Sequence, residues 1–256
     1  MIHRAKKSLG QNFLKSEIAL HQIVEAGEIK KDDIVLEIGP GKGALTKQLL
    51  ASGCQLIAVE KDRELYEFLK IKFEKETLSG QLQLIQDDIL ELNLASYQLA
   101  ATSYKIIANI PYNITGAILK KFLTEKNQPE RMVLMVQHEV AQRILARDSK
   151  ESILSVSVKA YGTPKMVAKV DKRYFSPAPK VNSAIISIKN ISRNIFEENN
   201  VNEEKFWEIV KKGFAHKRKK LSGNLKGECS EEILASFVNK RAEDLTLLDW
   251  ISLTKE

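Results

Sequence analysis

The sequence predicts an α/β protein, a doubly wound, mostly parallel sheet followed by a small all-α domain. Three observations carry this reading. Apolar runs of strand length alternate with helical stretches five times between residues 33 and 146. The first of these strands enters a glycine-rich turn, Gly39-Pro40-Gly41-Lys42-Gly43, that opens a helix. After Asn190 the alternation stops and helical spacing takes over. The expected domains are residues 1–192, with a basic arm over 1–15, and a helical domain over 193–256.

Composition narrows the function classes. At 256 residues and 43% hydrophobic, the chain can fill a large core and a smaller one. No run approaches the roughly 18 apolar residues of a membrane span. The charges at the start, Met-Ile-His-Arg-Ala-Lys-Lys, precede no apolar run, so no secretory signal is expected. Cys54 and Cys229 are the only cysteines, which excludes a disulfide framework and a cysteine-rich zinc site and fits a reducing cytoplasm. His3, His21, His138 and His216 have no metal-ligand spacing, so no metal is expected. A net charge of +7 favours a polyanionic partner.

In chain order, the arm carries His3, Arg4, Lys6 and Lys7 and then Ser8-Leu9-Gly10-Gln11-Asn12-Phe13-Leu14, an apolar pair that suggests docking. Ser16 caps a helix through about Ala26, with Ile18, Ile23 and Val24 inward. Asp33–Ile38 is a strand, and Ala44–Leu50 the helix after the glycine turn. The turn lacks the Gly-Lys-Ser/Thr of a Walker loop and the third-glycine spacing of a dinucleotide fingerprint. It suits a ligand without a pyrophosphate, such as S-adenosylmethionine.

Leu56–Val59 is the second strand, and Glu60 ends it 21 positions after Gly39, close to the ~20 expected of a ribose-binding acid. Residues 62–76 form a helix with Leu65, Phe68, Leu69 and Phe73 on one face. Leu82–Gln86 is the third strand and ends at Asp87-Asp88. An acid there can accept from an adenine amino group; Asp88 is preferred to Asp87, with Ile89 packing on the ring. Tyr104–Ala108 is the fourth strand, Ile114–Phe122 a helix, Met132–Val136 the fifth strand and Glu139–Ala146 a helix.

The fourth strand leads into Asn109-Ile110-Pro111-Tyr112-Asn113. Pro111 cannot donate to a sheet, so the strand ends by that point, and an amide and an aromatic ring meet at its carboxyl edge. The motif is similar to the Asn-Pro-Pro-Tyr-like tetrapeptides of amino-directed nucleic-acid methyltransferases. An adenine amine is a poor nucleophile because its lone pair is delocalised into the ring. A side-chain amide oxygen and a backbone carbonyl accepting its two N–H bonds hold it nearer to tetrahedral, and a ring can stack on the base. The candidates are Asn109, Pro111 and Tyr112.

Leu154–Val158 fits strand and helix equally. Lys165–Val170 and Ala184–Ile188 read as an antiparallel pair around Tyr174-Phe175-Ser176-Pro177-Ala178-Pro179-Lys180, a stiff loop with two exposed aromatics. Phe175 is a candidate second face for a base, or a packing residue. Residues 193–202 are linker-like, and the helices beyond carry Phe206, Trp207, Val210 and Phe214, then Ile233, Leu234 and Phe237. The run 211–220 has six basic residues and no acid, and reads as a phosphate-contacting helix surface.

Five blocks in order resemble the KsgA/RsmA family of small-subunit ribosomal RNA adenine dimethyltransferases. They are Lys7–Leu14, Glu37–Gly41, Asn109–Ile114, Phe175–Ser183 and Phe214–Lys220. The resemblance implies a Rossmann-like methyltransferase sheet over 1–192 and an RNA-binding helical domain over 193–256. It implies transfer of methyl groups from S-adenosylmethionine to two adjacent adenines in a hairpin loop near the 3′ end of 16S RNA. It implies cofactor positions at Asn12, Leu14, Gly39, Glu60, Asp88 and Asn109, and the reading of the residues adds Gly41 of the turn and Ile89. The catalytic group is Asn109, Pro111, Tyr112 and Phe175, with Tyr112 and Phe175 flanking the base. Arg4, Lys6, Lys7, Lys217, Arg218, Lys219 and Lys220 are the expected RNA contacts, and the partner is small-subunit RNA or its precursor particle, met by a monomer in the cytoplasm.

The sequence departs from the family at Ile110, usually leucine, and at Glu151-Ser152-Ile153, where Tyr-Gly is common. The alternatives are an Erm-type methyltransferase of large-subunit RNA and a non-catalytic RNA-binding assembly factor. Gly10 and the C-terminal basic block favour the small-subunit reading, and the set Glu60, Asp88 and Asn109 favours an enzyme.

Overall fold

The computed structural model describes residues 4–93, 97, 99 and 103–255; His3 of the expected arm lies outside them. The chain forms two compact units. One comprises residues 1–141 and 165–191, the other 142–164 and 192–256.

The first unit is built on a seven-stranded sheet. Its strands are β2 (Ile34–Ile38), β3 (Gln55–Glu60), β4 (Leu82–Gln86), β5 (Tyr104–Asn109), β6 (Arg131–Gln137), β7 (Thr163–Val170) and β9 (Ser183–Lys189), in the order β4-β3-β2-β5-β6-β9-β7. A separate ribbon pairs β1 (Phe13–Leu14) antiparallel with β8 (Phe175–Ser176). The pairs among β2, β3, β4, β5 and β6 are parallel, and β9 runs antiparallel to β6.

Both sheet faces are covered, as parallel strands require. Val35, Ile107, Val133, Met135 and Ile185 share a core with Leu20 and Ile23 of α1 (Glu17–Ala26) and Leu45 and Leu49 of α2 (Ala44–Ala51). The alternate residues Leu36, Ile106, Leu134 and Ile186 are equally buried. From β2 the chain moves outward through β3 to β4, then returns across β2 to β5 and β6. The directions part at the carboxyl ends of β2 and β5, where open α/β sheets bind ligands.

Two expected helix faces are corrected. Ile18 is 75% exposed, whereas Ile23 is buried. The expected helix over 62–76 breaks at Phe73 into α3 (Arg63–Lys72) and α4 (Glu74–Leu78), with Phe73 at φ −117°. Phe68 faces solvent on α3 with the Lys72 ammonium 5.7 Å from its ring, so it takes no part in the core. The remaining helices over this part of the chain are α5 (Thr115–Thr124) and α6 (His138–Leu145).

The second unit holds α7 (Ile153–Lys159), α8 (Asn194–Glu198), α9 (Glu203–Gly213), α10 (Leu221–Asn224), α11 (Glu231–Ala235) and α12 (Leu247–Thr254). The ambiguous stretch at 154–158 is helical, started by a Ser152–Ser155 capping box. The unit also claims residues 142–164, which the 192/193 boundary had left with the sheet. The reason is Tyr161. Its ring stacks on Trp207 at 6.1 Å and tilts against Phe196 at 5.7 Å, and its hydroxyl donates to Glu203 and accepts from Trp207 Nε1.

Candidate active site

A cavity of about 370 Å³ opens at the carboxyl ends of β2 to β5, entirely within the first unit. It brings together every expected cofactor position: Asn12, Leu14, Gly39, Gly41, Glu60, Asp88, Ile89 and Asn109 all line it, as do Pro111 and Tyr112.

The floor is the turn after β2. Gly39, Gly41 and Gly43 have φ of +65°, +60° and +73°, a region costly for side-chain-bearing residues. At Gly41 a Cβ would lie 3.1 Å from the Phe13 ring. Glu60 at the tip of β3 is 5% exposed. Its Oε2 accepts the Gly41 N–H at 3.0 Å and its Oε1 the Asp62 N–H at 2.8 Å, so the acid fixes the turn.

Asp88 accepts from Lys61 Nζ at 2.6 Å and from the Leu90 N–H at 3.0 Å. Burial works to raise its pKa, but the Lys61 ammonium and the Leu90 N–H outweigh it and hold the carboxyl below its ordinary value. Asp87 is exposed and accepts only its neighbour's N–H among these contacts. Asp88 is therefore the better-fixed acceptor.

Asn109 ends β5, and its Nδ2 donates to the Asn12 carbonyl at 3.3 Å. The opposite amide edge, Oδ1, has no hydrogen-bond partner among the described residues and can accept. Tyr112 sits on the short 3₁₀ turn Tyr112–Ile114, and its hydroxyl is bonded to Ser183 Oγ at the start of β9. Burial raises the phenol pKa, against the pull of that bond. Ile110, the departure from the family pattern, is buried at 2% exposure.

Phe175 is corrected. It does not line the cavity; it is 2% exposed and packs in the core that includes Leu14, Val170 and Ile185. Strand pairing with β1 turns Phe175 inward and leaves Ser176 at the cavity, so of the two aromatics expected on this loop only Tyr174 is exposed.

A family model described as Ribosomal RNA adenine dimethylase matches residues 2–255. The chain belongs to the ribosomal RNA adenine dimethylase family. It is 38% identical over 262 residues to "Ribosomal RNA small subunit methyltransferase A" of Dehalococcoides mccartyi, covering 99% of this chain and 88% of that one. It is 39% identical over 267 residues to the protein of the same name from Thermosynechococcus vestitus, covering 98% and 96%. The fold is similar to that of a dimethyladenosine transferase from Plasmodium falciparum, with a TM-score of 0.79 at 24% identity over 94% of this chain and 95% of that one. It is also similar to the 23S rRNA methyltransferase ErmE, with a TM-score of 0.76 at 23% identity over 95% and 98%.

Two residues of this dimethylase-family chain, one in the cavity and one beside it, are not singled out by the sequence. Glu37, on β2, lines the cavity at 1% exposure, and its Oε2 has no hydrogen-bond partner among the described residues. Burial, with the Glu60 charge adding to it, pushes its pKa up to about 8 against the pull of Thr46 and Lys72. Asp62, 2% exposed, clasps the arm: its carboxylate accepts from Lys6 Nζ and from Gln11 Nε2, each at 2.8 Å. Its place as the cap of α3, accepting the Glu64 N–H, was the available signal. Lys6 also lies 3.1 Å from Glu64, so this expected RNA contact also anchors the arm; Arg4 and Lys7 are exposed.

The basic run in the second unit is only partly as expected. Helix α9 stops at Gly213, and residues 214–218 are turns rather than a continued helix face. Gly213 is packed so closely on Trp250 that a Cβ would come within 2.4 Å of it. Lys217, Arg218 and Lys219 are exposed and form no ion pair among the described residues. Lys220 donates to Asn239 and Lys212 pairs with Glu228.

Proposed function

We propose that this chain is an S-adenosylmethionine-dependent 16S ribosomal RNA (adenine-N6,N6)-dimethyltransferase, acting on two adjacent adenines of the 3′-terminal hairpin loop during small-subunit biogenesis. The observation that carries the reading is the Asn109 amide, fixed by Asn12 at the switch-point edge with its oxygen left to accept an amine N–H.

The cavity residues fit the cofactor. Glu60, Asp87 and Asp88 line it against Lys15, Lys42 and Lys61, and Glu37 adds a buried acid with one oxygen unmatched among the described residues. Glu60 suits a ribose diol and Asp88 an adenine amino group. When bound, S-adenosylmethionine supplies an electrophilic methyl group on a sulfonium. Asn109 Oδ1 and the Pro111 carbonyl accept the two N–H bonds of the target amine and aim its lone pair. The Tyr112 ring, tied to Ser183, stacks on the base. The amine becomes acidic only after attack, so these residues need only orient it.

Arg4, Lys7, Lys217, Arg218 and Lys219 are offered as RNA contacts and Tyr112 as the base-stacking residue. The enzyme works as a monomer in the cytoplasm. Among the described residues no helix is long and apolar enough to cross a membrane. The test is mass spectrometry of both ribosomal RNAs after incubation with labelled cofactor. Dimethyladenosine in the small-subunit RNA supports the reading. Label in the large-subunit RNA favours the Erm-type alternative, and no label favours the non-catalytic one.

A further inference from the structure

We infer that the loop 171–182 is the track for the RNA strand flanking the target adenine, with Lys172 and Lys180 contacting its phosphates. The inference rests on the function proposed above. Its starting point is position. The loop enters β9 at Ser183, and Ser183 is bonded to the Tyr112 hydroxyl and registers opposite Gln137 at the carboxyl end of β6. Ser176 of the same loop lines the cavity. The loop thus borders the edge that presents Asn109 and Tyr112. An adenine entering there has its sugar and phosphates outside, against this rim.

The chemistry of the rim suits a single strand. A second cleft, of about 300 Å³, is lined by His138, Glu139, Lys172, Lys180, Val181 and Asn182. Asn182 holds its walls together: its carbonyl accepts the His138 N–H at 2.9 Å and its Oδ1 the Lys172 N–H at 3.1 Å. Lys172 and Lys180 are exposed, and neither is in an ion pair among the described residues. The acids nearby are Glu139 in the cleft and Asp171, whose carboxylate is engaged by the Arg173 N–H and lies 4.0 Å from the Arg173 Nε. Beside the lysines, the Arg173 guanidinium lies over the half-exposed Tyr174 ring, 5.2 Å from its centroid. Cations tracking a backbone beside an aromatic and a guanidinium plane are what single-stranded nucleic acid binds. Lysines on phosphates add position and affinity without reading sequence.

The full chain and its K172Q/K180Q variant are titrated with the unmethylated 3′-terminal domain of small-subunit ribosomal RNA over a series of salt concentrations. If both lysines contact single-stranded phosphates, the slope of log affinity against log salt falls in magnitude by roughly 1.4. Affinity falls at least about fivefold near 0.1 M salt, K172R/K180R restores both, and cofactor affinity and melting temperature stay at wild-type values. An unchanged slope, or weaker binding to assembled small subunits with unchanged binding to the RNA, overturns the inference. Methyl transfer by the wild-type chain to unmethylated small subunits tests the underlying function separately. Transfer in the wild type together with an unchanged slope in the variant removes the track and leaves the function standing.

Discussion

Lys6 Nζ sits 2.8 Å from Asp62 Oδ1, joining the arm to the start of α3 across 56 residues of sequence. Gln11 bonds the other oxygen of the same carboxylate, and the Asp62 N–H bonds Glu60. The arm, the acid at the tip of β3 and the glycine turn are therefore one hydrogen-bonded chain. Burial would raise the Asp62 pKa, but the Lys6 and Gln11 bonds hold it below its ordinary value.

Glu60→Ala removes the proposed ribose acceptor and frees the Gly41 N–H together. Affinity for S-adenosylmethionine is expected to fall at least tenfold, about 1.4 kcal/mol, close to the lower end of what a hydrogen bond to a charged group contributes. Calorimetry giving wild-type affinity in a folded variant would remove Glu60 from the site.

Glu37 gives the apo protein a pH signature. Its ordinary pKa of 4.5 is raised to about 8 in the folded chain. Between those values the folded chain keeps a proton that the unfolded chain has released. Stability from this group is full below about 4.5 and is lost as pH rises toward 8. Urea midpoints measured across that window should fall less steeply with pH in Glu37→Gln than in wild type. Parallel profiles would mean that Glu37 is ionised in the fold.

Gly43 caps α2 at φ +73°, and a Cβ there would meet the Phe73 ring at 2.5 Å. Gly43→Ala combines left-handed strain with overpacking and should cost about 2–4 kcal/mol. A denaturation midpoint unchanged from wild type would show that Phe73 yields freely.

These residues also show where sequence was enough. Glu60 and Asn109 end their strands and Asp88 follows β4 by two residues, so their common place at the cavity was legible: a parallel sheet delivers strand ends to one edge. Phe175 was misread because its side depends on pairing with Leu14, a partner 161 positions away. Tyr161 went to the wrong unit because its partners Phe196 and Trp207 lie far along the chain. Glu37 looked like one polar residue in an apolar strand. Only packing shows that it is buried against the cavity.

The run beyond α9 makes a separate prediction. Charge reversal at Arg218 and Lys219 should weaken RNA binding. If both contact phosphates, the log–log salt slope should fall by roughly 1.4 to 1.8. Cofactor affinity should hold, since neither residue lines the cavity. An unaltered slope would make the run a solvated surface.

Asn109 is proposed to orient the target amine, and single-turnover methylation by Asn109→Ala measures its share in the transfer. With RNA and cofactor both saturating, the rate should fall by about two orders of magnitude or more, the scale for losing one preorganised transition-state contact. RNA affinity should stay within about twofold of wild type. A near wild-type rate would contradict the account, because the amide held by Asn12 would then have no part in the transfer.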